Sequence, residues 1–364
     1  MSVIDLVLTL FIAKTVFFAI GVIRSRRIGA LSRAQNTLTV SVVVPARDEE
    51  QLLPSCLDSL IQYEGNDVEF IIVNDRSSDS TKQIILSYSQ LDSRITAVHL
   101  EQERTGNLRG KPGALHAGIE VSKGDVIMMT DADCTFPADW IQNVKTMYDK
   151  ESVAMIAGFT TISAHSIFDH LQDMEWLMNH TLASAGLSLG MPLGCFGNNL
   201  SIRKSVYKEI GGYPAISFSV TEDLQLLQKV TSKGYTVHYP INASNTVQTM
   251  PCLNWKSFVS QQHRWVRGSE ALGWKKHLFV LFAFVFWGGL LVSFLEGDMI
   301  GMGAIIGMRI LCDCLLILPS LHALKRLSQL PWIIPGMIFM IFIEIMVAIL
   351  LLKKNVEWKG QSFR

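Results

Sequence analysis

Asp131-Ala132-Asp133 closes the largely apolar run Asp125-Val126-Ile127-Met128-Met129-Thr130. Two carboxylates one residue apart, delivered by a buried strand, offer hard oxygen donors to a divalent cation that a diphosphate can share. A diphosphate leaves more easily when such a cation spreads its growing charge. Further on, Thr221-Glu222-Asp223 opens the helical pattern Leu224, Leu226, Leu227 and Val230. A carboxylate there can remove the proton of an attacking hydroxyl, although the dipole of any helix also favours acids in its first turn.

Other groups fall into place around these acids. Gly110-Lys111-Pro112-Gly113 sets a lysine in a glycine-flanked turn ahead of a helix, which presents a cation and backbone donors to phosphate. Without the acids downstream it reads as an ordinary exposed turn. The stretches Val42 to Glu50 and Asn74 to Thr81 each read as a strand running into a polar loop. A carboxylate at such a strand end accepts from a uracil N–H or a ribose hydroxyl, the role given to Asp75. Asp79 and Ser80 serve equally well as caps of the next helix. The expected nucleotide-binding set is therefore Pro45, Ala46, Glu49, Asp75, Lys111 and Asp131, with Asp131 and Asp133 as the metal pair.

Gln261, Arg264 and Trp265 recur at i, i+3 and i+4, one face of a helix. Trp265 suits the wall of an acceptor site, and Arg264 suits a pyrophosphate oxygen or the Thr221 loop. With Glu222 they form the expected acceptor and diphosphate set. A basic interfacial helix anchored by tryptophan has the same pattern. Gly194-Cys195-Phe196-Gly197-Asn198-Asn199 reads as a close-packed loop on the acceptor side, with no chemistry of its own.

The elements that must hold these residues are short apolar runs alternating with helical stretches: Thr39 to Val44, Phe70 to Asn74, Ile95 to Leu100, Val126 to Thr130 and Val153 to Phe159. Runs this apolar imply strands buried on both faces, hence an α/β domain with a parallel or mixed sheet. Ligands of such open sheets bind beyond the carboxyl ends of the strands, where the polar signatures lie.

The chain is 49% hydrophobic, with a mean hydropathy of +0.29, so part of its 364 residues is expected in lipid. Val3 to Ile23 is followed at once by Arg24, Arg26 and Arg27 and lacks a cleavage site, so it reads as a retained anchor with the N-terminus outside. Leu278 to Leu295, Met299 to Leu321 and Ile333 to Leu352 approach the ~20 residues a spanning helix needs. Lys353 and Lys354 oppose the charge rule if the last segment crosses fully, so that segment is either re-entrant or an exception. Arg309 and Asp313, four apart, are expected to pair within the bundle or to hold a lipid headgroup. Lys plus Arg and Asp plus Glu are each 32, which gives no field for nucleic acid. The six cysteines suggest neither a zinc site nor a disulfide framework.

In this order the motifs resemble the large inverting GT-A glycosyltransferase family that includes cellulose, chitin and hyaluronan synthases and ceramide glucosyltransferase. The likeness runs from about Leu38 to Gly268. It implies a Rossmann-like mixed sheet, most often a UDP-linked donor, one Mg2+ or Mn2+ ion, and direct displacement that turns an α-linked donor into a β-linked product. By the same resemblance Asp75 matches the nucleotide-binding aspartate, Asp131 and Asp133 the DxD metal motif, Asp223 the catalytic base, and Gln261, Arg264 and Trp265 the Q-x-x-R-W motif. Asp48 departs from the asparagine many members carry before Glu49.

The expected layout is an anchor over 1–27, a GT-A catalytic domain over 38–250, an interfacial helix with Q-x-x-R-W over 251–276, transmembrane helices over 277–352 and a tail over 353–364. Three spans after the catalytic block are few for a polymer channel. The reading is therefore transfer of one hexose to a lipid at the cytosolic face of the cell inner membrane by a multi-pass protein. The alternative is a processive polysaccharide synthase, with a partner subunit completing its channel. A membrane nucleotidyltransferase, releasing pyrophosphate, and a sugar-nucleotide sensor without turnover are further alternatives.

Overall fold

The structure, a computed structural model, describes residues 2–30, 37–148, 150–353, 356–358 and 361–363. Met1 of the expected anchor, Lys354 and part of the expected tail lie outside these residues. The helices in chain order are α1 (Val3–Ala30), α2 (Leu53–Ile61), α3 (Thr81–Leu91), α4 (Lys111–Val121), α5 (Trp140–Thr146), α6 (Ile167–Ser188), α7 (Lys204–Glu209), α8 (Glu222–Ser232), α9 (Trp255–Gly268), α10 (Lys276–Leu295), α11 (Met299–Ala323) and α12 (Ile333–Leu350). The strands are β1 (Val40–Ala46), β2 (Val68–Asp75), β3 (Ile95–Leu100), β4 (Val126–Met129), β5 (Cys134–Thr135), β6 (Val153–Ala157), β7 (Phe159–Ile162), β8 (Leu200–Arg203), β9 (Thr236–His238), β10 (Thr246–Thr249), β11 (Val356–Trp358) and β12 (Gln361–Phe363). Two compact units result. A sheet unit comprises Arg27–Ser163 and Gly194–Met250, and a helical unit comprises Met1–Arg26, Ala164–Leu193 and Pro251–Arg364.

The sheet unit is built on seven strands in the order β3-β2-β1-β4-β8-β6-β9. Val42, Val43 and Val44 are all fully buried, so both faces of β1 are covered, as a continuous β-branched run requires. β1 pairs parallel with β2 and with β4, while β8 enters antiparallel between β4 and β6. The sheet is therefore mixed, and β1, β2 and β4 deliver their carboxyl ends to one rim.

The run Val153 to Phe159, read from sequence as one strand, is two. β6 stays in the main sheet, and β7 joins a smaller sheet of order β5-β10-β7. The break falls at Gly158, whose N–H donates to the Asn199 carbonyl at 2.8 Å. A Cβ at Gly158 would stand 2.2 Å from Asn199 Nδ2, so no larger residue fits where the chain changes sheets.

Among the described residues four segments are long and apolar enough to cross a membrane: Val3–Ile28, Trp255–Leu295, Met299–Ala323 and Leu327–Leu350. Val7, Phe11, Phe286, Ile305 and Cys312 pack α1, α10 and α11 together. Arg309 and Asp313 pair as expected, Nε to Oδ2 at 2.6 Å, but within a larger network. Arg309 also reaches Glu344 Oε1 at 2.6 Å, and Lys14 reaches Asp313 Oδ1 at 3.4 Å. Two cations and two carboxylates thus join α1, α11 and α12 in a neutral cluster, the arrangement that makes charge tolerable in apolar surroundings. Arg309→Met leaves Glu344 without its cation and Asp313 with Lys14 alone, and is expected to cost about 3–5 kcal/mol. Replacing all four charges with apolar residues is expected to recover most of that. Denaturation of the detergent-solubilised protein measures both.

Candidate active site

Two loops form the rim beyond β1 and β2, and hydrogen bonds stitch them together. Asp48 Oδ1 accepts from the Ser78 N–H at 2.7 Å and from the Ser78 hydroxyl at 3.0 Å. Glu50 Oε2 accepts from the Ser80 N–H at 2.9 Å, and the Glu49 N–H donates to Thr81 Oγ1 at 2.8 Å. Asp79 Oδ1 accepts from the Thr81 N–H at 3.0 Å, a turn just ahead of α3, whereas Ser80, the N-cap residue, makes no side-chain cap. Both bonds use Oδ1, which an asparagine oxygen would also supply; what the carboxylate adds is charge, with its Oδ2 3.9 Å from Arg47 Nε. Asp48 and Arg76 both sit at positive φ, 55° and 59°, a costly backbone state that concentrates at functional loops. Asp75 ends β2, buried, with Arg76 Nε donating to its Oδ1 at 2.8 Å. Pro45 and Ala46 close β1 beside it.

The acidic cluster lies wholly within the sheet unit. Asp131 and Asp133 occupy the turn after β4. Lys111, the first residue of α4, extends Nζ to Asp131 Oδ1 at 2.6 Å and to Glu222 Oε1 at 3.1 Å. Burial opposes its charge, but Asp131, Glu222 and Asp223 outweigh that and hold the Lys111 pKa above that of an ordinary lysine. Asp133 is pushed the other way. Burial first, then the charges of Asp131 and Glu49, raise its carboxyl to about 6.

Glu222 and Asp223 begin α8, as the sequence suggests, and Thr221 makes no side-chain cap there. The Gly197 N–H donates to Asp223 Oδ2 at 2.7 Å, and the Leu224 N–H donates to Oδ1 at 2.7 Å. Despite both donors, burial and the neighbouring Glu222 raise the Asp223 carboxyl to about 7. A Cβ on Gly197 would lie 3.4 Å from each of Asp223 Cβ, Glu222 Oε1 and Lys111 Nζ, so this glycine forms the floor on which all three meet. The sequence reading gave its loop no chemistry; the loop in fact orients Asp223.

The loop is itself rigidly held. Thr130, the residue before Asp131, donates its hydroxyl to the Asn198 carbonyl at 2.8 Å. Thr160 donates to Asn198 Oδ1 at 2.9 Å, and Asn199 Nδ2 reaches the Phe159 and Asn245 carbonyls, each at 2.8 Å. The end of β4 and the support of Asp223 are thus one hydrogen-bonded piece. A glycine in a tight loop was the only signal available in the sequence, and its partner lies 26 positions away.

The acid pair carries oxygen donors and surplus negative charge. Among the described residues no three His, Cys, Asp or Glu side chains are arranged to hold an ion unaided. The nearby thiols of Cys56 and Cys134 are driven well above their usual pKa by burial and then by Asp133 and Asp131, which leaves them protonated. This donor set fits Mg2+ or Mn2+ that brings part of its coordination sphere with it.

Gln261, Arg264 and Trp265 belong to the helical unit, on α9, each half-buried. Trp265 packs edge-on against Trp176 of α6, with ring centroids 5.5 Å apart. Gln262, between the motif positions, donates Nε2 to Glu175 Oε1 at 2.7 Å. Glu175 is buried in α6, and that burial lifts its carboxyl to about 7 against the pull of Gln262 and Asn179.

A mixed sheet with an acid pair at the end of its central parallel strand, flanked by apolar helices, defines a GT-A domain with segments able to span a membrane. Known proteins agree. Residues 41–211 match Glycosyl transferase family 2. The chain is 30% identical over 237 residues to the probable glycosyltransferase YdaM of Bacillus subtilis, covering 64% of this chain and 55% of that one. It is 24% identical over 268 residues to the beta-monoglucosyldiacylglycerol synthase of Trichormus variabilis, covering 71% and 54% respectively. The chain thus spans about half the length of these curated relatives. The mannosyltransferase PcManGT of Pyrobaculum calidifontis, solved with GDP-Man and Mn2+, shares the fold at 15% identity, with a TM-score of 0.59 over 96% of this chain and 98% of that one. Residues 41–211 are thus similar to a Glycosyl transferase family 2 domain, and the fold is the GT-A fold.

Proposed function

We propose that this protein is an inverting hexosyltransferase that moves a sugar from a nucleoside diphosphate, most simply UDP, to a hydroxyl of a membrane lipid and forms a β-glycoside. The observation that carries the reading is the convergence of Asp131, Lys111, Glu222 and Asp223 in one cluster around Gly197. The lipid acceptor is supported by the segments able to span a membrane and by the likeness to a diacylglycerol-glycosylating relative.

In this reading Asp75 and the stitched loops of Pro45, Ala46 and Glu49 hold the nucleoside. Asp131 and Asp133 would hold Mg2+ or Mn2+, which when bound supplies positive charge against the diphosphate. Lys111 adds a fixed cation on the same side. Asp223, aimed by the Gly197 N–H, accepts the proton of the acceptor hydroxyl as the new bond forms and the old one breaks. Gln261, Arg264 and Trp265 serve the acceptor and the departing diphosphate. The membrane placement proposed is several spans with the catalytic domain on the cytosolic side of the inner membrane.

Nucleoside diphosphate release from a panel of UDP and GDP sugars, with and without lipid extract, tests this. One sugar is expected to give release that lipid stimulates, together with a solvent-extractable labelled product. Release of pyrophosphate, or an insoluble polymer, overturns the reading. Asp133→Asn is expected to lower the rate about 100-fold or more, as loss of several kcal/mol of charge stabilisation implies. EDTA is expected to do the same to the unaltered protein, reversibly with Mn2+.

A further inference from the structure

Asp131 already has a cation within the chain. Lys111 Nζ lies 2.6 Å from Asp131 Oδ1 and 3.1 Å from Glu222 Oε1, a compact point charge seated between two carboxylates. The backbone that carries it is held in place. Gly110 takes φ 69°, Pro112 follows in the first turn of α4, and a Cβ on Gly113 would stand 2.1 Å from the Leu108 carbonyl oxygen. Any shift of the ammonium must therefore come from its flexible stem.

Asp131 is also half of the acid pair read as the metal site, and its side chain is 35% exposed, open to an ion from solvent. A divalent ion arriving there alone meets Lys111 twice over, as a like charge close by and as a rival for the same carboxylate. A nucleoside diphosphate alters that balance. Its oxygens serve the metal and the ammonium together, and Lys111 can turn toward them while Glu222 keeps hold of it.

Resting on the function proposed above and deepening it, we infer that Lys111 makes metal binding conditional on the nucleotide. Its ammonium holds Asp131 against a bare cation and passes to the diphosphate when the donor arrives. Metal and donor then bind with positive coupling, and each raises the affinity of the other by the same factor.

The test titrates Mn2+ into the full chain in detergent, with free ion read by electron paramagnetic resonance, in the absence and presence of saturating UDP. The ratio of the two dissociation constants is the coupling. Lys111→Met is expected to bind Mn2+ alone about tenfold more tightly than the unaltered protein, because a nearby positive charge has gone, and its coupling is expected to fall by at least as much. Lys111→Arg keeps the charge and is expected to bind Mn2+ alone as weakly as the unaltered protein. Lys111→Met combined with Glu222→Gln removes one cation and one acid, which leaves the net charge of the cluster unchanged and spares the fold two opposed carboxylates. It is expected to show the same gain, and adding Asp131→Asn is expected to erase it. Unchanged binding of Mn2+ alone in Lys111→Met, a gain absent from the combined variant, or a gain that outlasts Asp131→Asn overturns the inference while the metal site stands. Failure of the unaltered protein to bind Mn2+ even with UDP defeats the metal-assisted reading itself, and the inference with it.

Discussion

Asp223→Asn is expected to reduce transfer by about 10²- to 10⁴-fold, the range for loss of a positioned general base, with little change in the affinity for UDP. Asparagine has one side-chain oxygen for the two N–H donors, Gly197 and Leu224, that the two carboxylate oxygens accept from separately, so a thermal melt accompanies the rate to separate lost packing from lost chemistry. What disappears is the capacity to take a proton. The pH dependence gives the same residue a second signature. Burial and then Glu222 raise the Asp223 carboxyl to about 7, and only its unprotonated form can act as a base. kcat/KM of the unaltered protein should therefore rise with pH and level off above about 7 in a profile measured at saturating metal. In Asp223→Asn the residual rate should lack that limb. A full-height limb in the variant would assign the titration to another group.

Lys111→Met is the second change with a large expected effect. The lysine bridges Asp131 and Glu222, so its loss leaves two partly buried carboxylates opposed with no cation between them. About 3–5 kcal/mol of stability is expected to go with it. Catalysis should fall separately, by about 10²- to 10³-fold, because a fixed charge beside the departing diphosphate acts as an oxyanion-hole donor does. The two effects separate experimentally. Chemical denaturation reports the first, and rates measured at low temperature on the folded fraction report the second. Lys111→Arg should recover most of the stability while the guanidinium, wider than an ammonium, restores less of the rate.

The outcome for each residue tracks how local its signal is. The strand ends at Asp75 and Asp131, the lysine opening α4 and the acids opening α8 are legible because a continuous apolar run followed by a polar turn is a short-range pattern. The mixed sheet was foreseen, but β8 and β10 were not. They are four residues each, and Ser201 and Gln248 interrupt their apolar character. Their pairing partners also lie far away in sequence. Gly158 gave no warning that Val153 to Phe159 divides, since the reason is the Asn199 side chain packed where a Cβ would be. The pairing of Arg309 with Asp313 followed from i, i+4 spacing, whereas the link from Lys14 to Asp313 spans 299 positions. Glu175 could not be singled out at all. Its buried carboxyl is held by Gln262, 87 positions away, a contact no spacing rule reports.

Manganese binding read by electron paramagnetic resonance tests the central claim most directly, because it asks where a cation and a diphosphate meet without requiring the acceptor. The account predicts that Mn2+ binds weakly alone and tightly with UDP, one ion per chain. It predicts that Asp131→Asn and Asp133→Asn each abolish the UDP-dependent signal and that Asp223→Asn preserves it. Tight binding that ignores UDP, or that survives loss of both Asp131 and Asp133, would contradict the account.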